Sequence, residues 1–206
     1  MSAPGEGEEV GSADQATEGT EAPTPAAPAW RPPRALLEWL VILVVAVTAS
    51  LVLRAYVVQT FSIPSGSMEP TLMPGDRILV SKLSVRFGTI HRGDIVVFRA
   101  PPAEHGRCSG ETADLVKRVI GLPGDHLTSR GNTIYVNGAP LKETWTHTEP
   151  LGPAIGNVTV PANSYFMMGD NHADSCDSRT WGFVPRSDLI GKAFFRIWPP
   201  SRIGFL

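Results

Sequence analysis

The chain is expected to be mainly β, an antiparallel β-sheet domain carried behind one N-terminal transmembrane helix. Three observations predict this. With 20 Gly and 19 Pro in 206 residues and only 18% charged side chains, the composition suits a turn-dense sheet protein better than a helical bundle. Three Gly-Asp turns each lead into an apolar, β-branched run, the pattern of successive strands. One long apolar segment stands near the N-terminus, and no long amphipathic helical pattern follows it.

Residues 1–34 form an acidic tail. Glu6, Glu8, Glu9, Asp14, Glu18 and Glu21 against Arg31 and Arg34 make it −4 within a chain of net charge −2, so the remainder is +2. Gly, Pro, Ala, Thr and Glu leave almost nothing to bury, and the tail is expected to be disordered. It lacks the succession of charged, apolar and small-residue regions of a cleavable secretory signal. A net charge this small offers no footprint for nucleic acid.

The next stretch, "ALLEWLVILVVAVTASLVL" over residues 35–53, spans about 28 Å as a helix, close to the hydrocarbon thickness of a bilayer. Glu38 is its one charge, and no polar face appears at helical spacing. Residues 35–56 are therefore read as a membrane anchor. Arg31 and Arg34 precede it and Arg54 follows, which predicts a cytoplasmic tail and an extracytoplasmic domain over residues 57–206.

Within that domain the strands follow their turns. "PGDRILV" from Pro74, "RGDIVVF" from Arg92 and "PGDHL" from Pro123 each predict one. In "TIYVNGAPLKE" the pair Asn137-Gly138 suits a tight hairpin turn after Ile134 to Val136. "GKAFFRIW" reads as a last strand, and residues 100–114 read as a loop. A small insertion is expected at about residues 126–161. Phe194, Phe195, Trp198 and Phe205 are expected to divide between core and a membrane-contacting patch.

Candidate chemistry begins in "FSIPSGSMEPTL", residues 61–72, where Ser65 and Ser67 flank Gly66 between Pro64 and Pro70. A serine nucleophile needs an exposed oxygen, nearby N–H donors and a base; a tight turn needs the same residue types. Of the five histidines, only His172 lies among other candidate groups. A lysine also serves as base when desolvation favours its neutral form. In "DLVKRVIGLPGD" strand alternation sends Leu115, Lys117 and Val119 to one face and Val116 and Arg118 to the other. Lys117 on an apolar face is either such a base or an edge-strand lysine that discourages aggregation.

Taken with "GDNHADSCDSRTWGFVP", these pieces resemble the bacterial type I signal peptidases, membrane-bound Ser-Lys endopeptidases that remove signal peptides from exported proteins. "IPSGSMEPTL", "GDIVVF", "VKRVIGLPGD" and that last box stand in family order, over residues 35–206. The resemblance implies a signal-peptidase-type catalytic domain with Ser67 as nucleophile and Lys117 as general base. It implies an oxyanion site made by the Ser65 side chain with the Ser67 backbone N–H. Ser175 matches the serine that hydrogen-bonds and orients the lysine, and Asp177 and Arg179 match a supporting ion pair. Phe61, Ile63, Pro64, Met68 and Val116 match the lining of two shallow pockets for small side chains, typically Ala, one and three residues before the cut. An extended substrate would pair beside Asp114 to Lys117. The implied partners are signal peptides of exported preproteins and membrane lipids, with no cofactor. The family's last box commonly reads "GDNRDNSxDSR"; here His172, Ala173 and Asp174 depart from it.

The run Asp170, His172, Asp174, Cys176 does not make a calcium loop, because Ser175 and Trp181 stand where Gly and Glu are required. No metal is expected. Cys108 and Cys176 are the two cysteines of the chain; outside the membrane they are either a disulfide that ties the loop to the last box or two unpaired small hydrophobes. Three rival readings are a soluble self-cleaving Ser-Lys peptidase, an inactive membrane-anchored binding protein and a serine hydrolase using His172.

Overall fold

The computed structural model describes residues 34–102, 108, 113–145 and 151–206. The acidic tail over residues 1–33 and most of the loop expected over residues 100–114 lie outside the described residues.

Helix α1 runs Arg34–Tyr56, 23 residues, about 34 Å at a rise of about 1.5 Å per residue. It starts one residue before the expected anchor. Its residues between Arg34 and Val52 are long and apolar enough to cross a membrane, and none of them is buried. Trp39 and Tyr56 stand towards its two ends, where amphipathic rings favour a membrane–water interface.

The remainder is antiparallel sheet, as the turn spacing predicts. Strands β1 (Val58–Ser62), β2 (Arg77–Ser81), β3 (Ile95–Arg99), β4 (Asp114–Gly121), β9 (Ser164–Met168), β10 (Val184–Pro185), β11 (Leu189–Trp198) and β12 (Gly204–Phe205) form one sheet. Its order is β1-β2-β11-β3-β4-β9-β10, with β12 on β11. A second sheet, ordered β7-β6-β5-β8, takes β5 (His126–Arg130), β6 (Thr133–Val136), β7 (Ala139–Pro140) and β8 (Val158–Thr159); these strands fall within the segment read as an insertion. Asn137 and Gly138 turn the β6–β7 hairpin with φ of 53° and 82°, the left-handed values of a two-residue turn.

Two details differ from expectation. β11 is the longest strand but not the last, because β12 returns to pair with it through Phe195 and Phe205. The domain also carries two four-residue helices, α2 (Leu83–Arg86) and α3 (Ser178–Trp181), too short to show a helical period in the sequence.

The core follows the alternation of the strands. Val96 and Phe98 of β3 join Leu115, Val119, Met167 and Trp181 in one apolar cluster. Ile95 and Val97, from the other face of the same strand, join Ile63, Met68, Leu72, Ile78 and Val80 in another. β3 is thus covered on both faces, which is why its sequence is continuously apolar. A third cluster, with Ile120, Leu127, Ile134 and Phe166, lies between the two sheets.

Candidate active site

The loop after β1 brings the two serines into place. Ser65 is extended, and Gly66–Met68 then forms one turn of 3-10 helix closed by Glu69 N–H to Gly66 O at 3.0 Å. Met68 is 1% exposed and acts as the apolar foot of the turn, seated in the cluster beneath. Ser67 is therefore held by packing on one side while its hydroxyl reaches a cleft on the other.

Lys117 arrives from β4, an interior strand that pairs with β3 at Val96↔Lys117 and with β9 from Arg118↔Met168 onward. The residue is 2% exposed, and its Nζ lies 2.6 Å from Ser67 Oγ, sharing a hydrogen bond across 50 positions of sequence. Ser65 Oγ stands 3.4 Å from the same oxygen, donating weakly towards it. Burial in apolar surroundings favours the uncharged form of an amine, and a neutral Nζ accepts rather than donates the shared proton.

A cleft of about 820 Å³ surrounds this pair. Phe61, Ile63, Pro64, Ser65, Ser67 and Met68 line one wall; Asp114, Val116 and Lys117 line the other. β4 is joined to β3 over Asp114 to Arg118, but its ladder to β9 begins only at Arg118. The backbone of Asp114 to Lys117 consequently has one edge without a strand partner among the described residues. An extended peptide can add there. Val116 and Phe61 are partly buried and pack on the core cluster beneath, so they are core and cleft wall together.

The last box clamps this assembly. Asn171 donates its backbone N–H to Ser67 O at 3.1 Å and its side-chain amide to Gly66 O at 3.2 Å. Asp177 and Arg179 form a bidentate pair at 2.8 and 2.7 Å, with both side chains fully buried. Asp177 also accepts from Gly169 N–H at 3.2 Å and caps α3 through Arg179 N–H. Arg179 reaches the carbonyls of His172, Ser175 and Leu151, tying the box to the second sheet. A disulfide joins Cys108 to Cys176, with Cα atoms 5.9 Å apart, and both cysteines line the cleft.

Ser175 departs from expectation. Its Oγ is buried and has no hydrogen-bond partner among the described residues, Lys117 included. The hydroxyl lies beside Gly169, where a Cβ would fall 2.3 Å from it. His172 is 3% exposed, its Nε2 lying 3.2 Å from Glu143 Oε1. It does not line the cleft, which removes the geometric basis for a histidine-dependent reading.

Sequence reasoning passed over Asn171, Gly169 and the pair Arg118–Asp170. Arg118 donates to both oxygens of Asp170 at 2.7 and 2.6 Å and to Gly93 O at 2.7 Å, and its guanidinium stacks 4.7 Å from the Trp145 ring. The available signal was a second cation in an apolar strand, on the face opposite Lys117; buried, it needs a buried counter-charge. No cluster of three or more His, Cys, Asp or Glu side chains is arranged to hold a metal among the described residues.

Comparison with known proteins gives the family. The family model "Signal peptidase, peptidase S26" matches residues 36–198. The chain is 38% identical over 194 residues to a signal peptidase I of Leptolyngbya laminosa, covering 91% of this chain and 95% of that one. It is 42% identical over 164 residues to a probable signal peptidase I-2 of a Synechocystis species, covering 80% and 74%. A solved signal peptidase I from Enterococcus faecalis aligns with a TM-score of 0.40 at 30% identity, over 50% of this chain and 96% of its own. A buried lysine against a serine hydroxyl, the strand edge beside it and a family match over residues 36–198 agree: the chain belongs to the signal peptidase family, peptidase S26.

Proposed function

We propose that this protein is a membrane-bound serine endopeptidase that cleaves signal peptides from exported preproteins through a Ser67–Lys117 dyad, after small residues in Ala-x-Ala sites. The observation that carries the reading is the 2.6 Å separation between Lys117 Nζ and Ser67 Oγ, with the lysine 2% exposed.

In the proposed reaction the neutral amine takes the Ser67 proton as Oγ attacks the scissile carbonyl. The tetrahedral oxyanion is held by the Ser65 hydroxyl and the Ser67 backbone N–H. Lys117 then passes its proton to the leaving amine, which departs and leaves an ester on Ser67. Lys117 next removes a proton from the water that attacks this ester, and returns it to Ser67 as the acyl group leaves. No metal or cofactor enters these steps. We assign Ser175 an orienting task next to the dyad. A buried hydroxyl without a partner costs about 1–3 kcal/mol of stability, and such unsatisfied groups cluster at active sites.

The substrate lies along the open edge of β4. Small side chains one and three residues before the cut enter pockets walled by Phe61, Ile63, Pro64, Met68 and Val116. α1 anchors the chain with its N-terminus in the cytoplasm, following the arginines before and after the span. Trp198 and Phe205 are 52% and 84% exposed, while Phe194 and Phe195 are half-buried. The exposed pair, with Ile203, is proposed to rest on the lipid surface.

Cleavage of a preprotein with an Ala-x-Ala site tests the proposal. Ser67→Ala and Lys117→Ala are each expected to lower kcat by more than about a thousandfold, and His172→Ala to keep activity within about tenfold. Full activity in Lys117→Ala, or a loss in His172→Ala as deep as in Ser67→Ala, would refute the dyad.

A further inference from the structure

Asp174 lines the substrate cleft, yet the proposed reaction gives it no task. It is exposed, and its side chain accepts no hydrogen bond and enters no ion pair among the described residues. Its backbone is held from both sides. Asp174 closes the short 3-10 turn His172–Asp174, donating its N–H to Asn171 O at 3.2 Å, and the N–H of Asn171 is itself fixed on Ser67 O at 3.1 Å. Two residues later Cys176 is bridged to Cys108, which lines the same cleft. The carboxylate is thus carried on a backbone anchored to the surroundings of the nucleophile rather than on a free loop.

The charge around it is one-sided. Asp114, Lys117 and Asp174 are the acids and bases of the lining. Lys117 is uncharged when it accepts the Ser67 proton, so at the moment of attack the lining presents carboxylates and no cation among the described residues. Asp114 opens the β4 edge and is half-buried, whereas Asp174 is exposed to a bound chain. What enters this cleft is an extended peptide, and the peptide side chains that neutralise a carboxylate are ammonium and guanidinium groups. The pockets for the small residues one and three before the cut are walled by other residues. Successive side chains of an extended chain point opposite ways, which leaves the residue two before the cut, and those just after it, to meet Asp174.

We propose that Asp174 is a specificity-determining residue that selects preproteins carrying lysine or arginine, over glutamate or aspartate, beside the small residues of the cleavage site. The inference rests on the proposed signal-peptide cleavage. An exposed ion pair in high dielectric is weak, so Asp174 tunes the choice between substrates and does not decide whether cleavage occurs. Attraction of a cation and repulsion of an anion act together in the ratio of Lys to Glu substrates, which makes that ratio the sensitive readout.

The test compares kcat/KM of the full chain in detergent on Ala-x-Ala peptides that carry Lys, Gln or Glu two residues before the cut or, separately, one or two residues after it. At one of these positions the wild-type protein is expected to prefer Lys to Glu, and Asp174→Asn to lower that ratio by about threefold or more. Asp174→Glu keeps the charge and should restore most of the ratio, while about 0.5 M NaCl should shrink it in the parent, because an exposed carboxylate is screened. Asp188→Asn removes a carboxylate outside the cleft and is expected to keep the ratio. Ratios in Asp174→Asn equal to those of the parent at all three positions overturn the inference, as does an equal loss in Asp188→Asn, which would indicate a diffuse field. The Gln peptides separate this inference from the reading beneath it. If the parent cuts them and Asp174→Asn leaves every ratio unchanged, the inference alone fails; a parent that cuts none of the peptides overturns the proposed function and the inference with it.

Discussion

Replacing Gly169 by alanine is expected to disable the dyad while leaving the protein folded. Gly169 follows β9, and a Cβ placed on it falls 2.3 Å from Ser67 O and 2.3 Å from Ser175 Oγ. Ordinary contact begins at 3.4 Å, so something must give way by about 1 Å. The Ser175 hydroxyl can rotate aside. The Ser67 carbonyl cannot, because it is backbone, is held by Asn171 N–H at 3.1 Å, and carries the nucleophile with it. The Ser67–Lys117 separation of 2.6 Å then changes by a comparable amount, and a misplacement of about 1 Å costs on the order of a hundredfold in rate. That is about 2.7 kcal/mol in the barrier. Overpacking costs about 1–3 kcal/mol of stability, less than the roughly 5–15 kcal/mol that holds a domain folded. Steady-state cleavage of an Ala-x-Ala preprotein by the full chain in detergent, with a thermal melt of the same sample, measures both effects. The loss should fall mainly on kcat, since the displaced residue is the nucleophile rather than Phe61, Ile63 or Val116 of the cleft walls. A folded Gly169→Ala enzyme within threefold of the parent would refute the reasoning. So would recovery in the S175A/G169A double variant, because the clash would then lie on the side chain rather than on the carbonyl.

Removing the Cys108–Cys176 bridge opens a loop of 68 residues, worth about 4 kcal/mol in the chain-entropy account; the C108S/C176S variant should lower the urea midpoint accordingly, and an unchanged midpoint would show that the bridge does not constrain the unfolded chain. Asp177→Ala strands the fully buried Arg179 guanidinium and removes the cap of α3, with an expected loss of about 3–5 kcal/mol in stability by denaturant titration. Asp177→Ala/Arg179→Met is expected to recover part of that loss, because no buried charge is then left without its partner.

Much of the scaffold was legible because it is encoded locally. The apolar run of residues 35–53, the three Gly-Asp turns and the Asn137-Gly138 hairpin each specify their own backbone, and α1, β2, β3, β5 and the β6–β7 turn appear where those signals stand. The four-residue helices and β12 were not legible; one turn of helix or one pair of residues carries no period.

The site divides in the same way. From residue types alone, Ser67 read as turn or nucleophile and Lys117 as base or edge lysine; their pairing came from the resemblance of four ordered boxes, not from any local spacing. What the sequence determined by itself was the set of groups able to do the chemistry and the strands that carry them. Only tertiary structure decided that Lys117 meets Ser67 across 50 residues and Arg118 meets Asp170 across 52, that β11 inserts between β2 and β3, and that Ser175 Oγ lies beside Gly169. These outcomes depend on which faces of distant strands are buried together, a free energy summed over the whole core and written in no single stretch of chain.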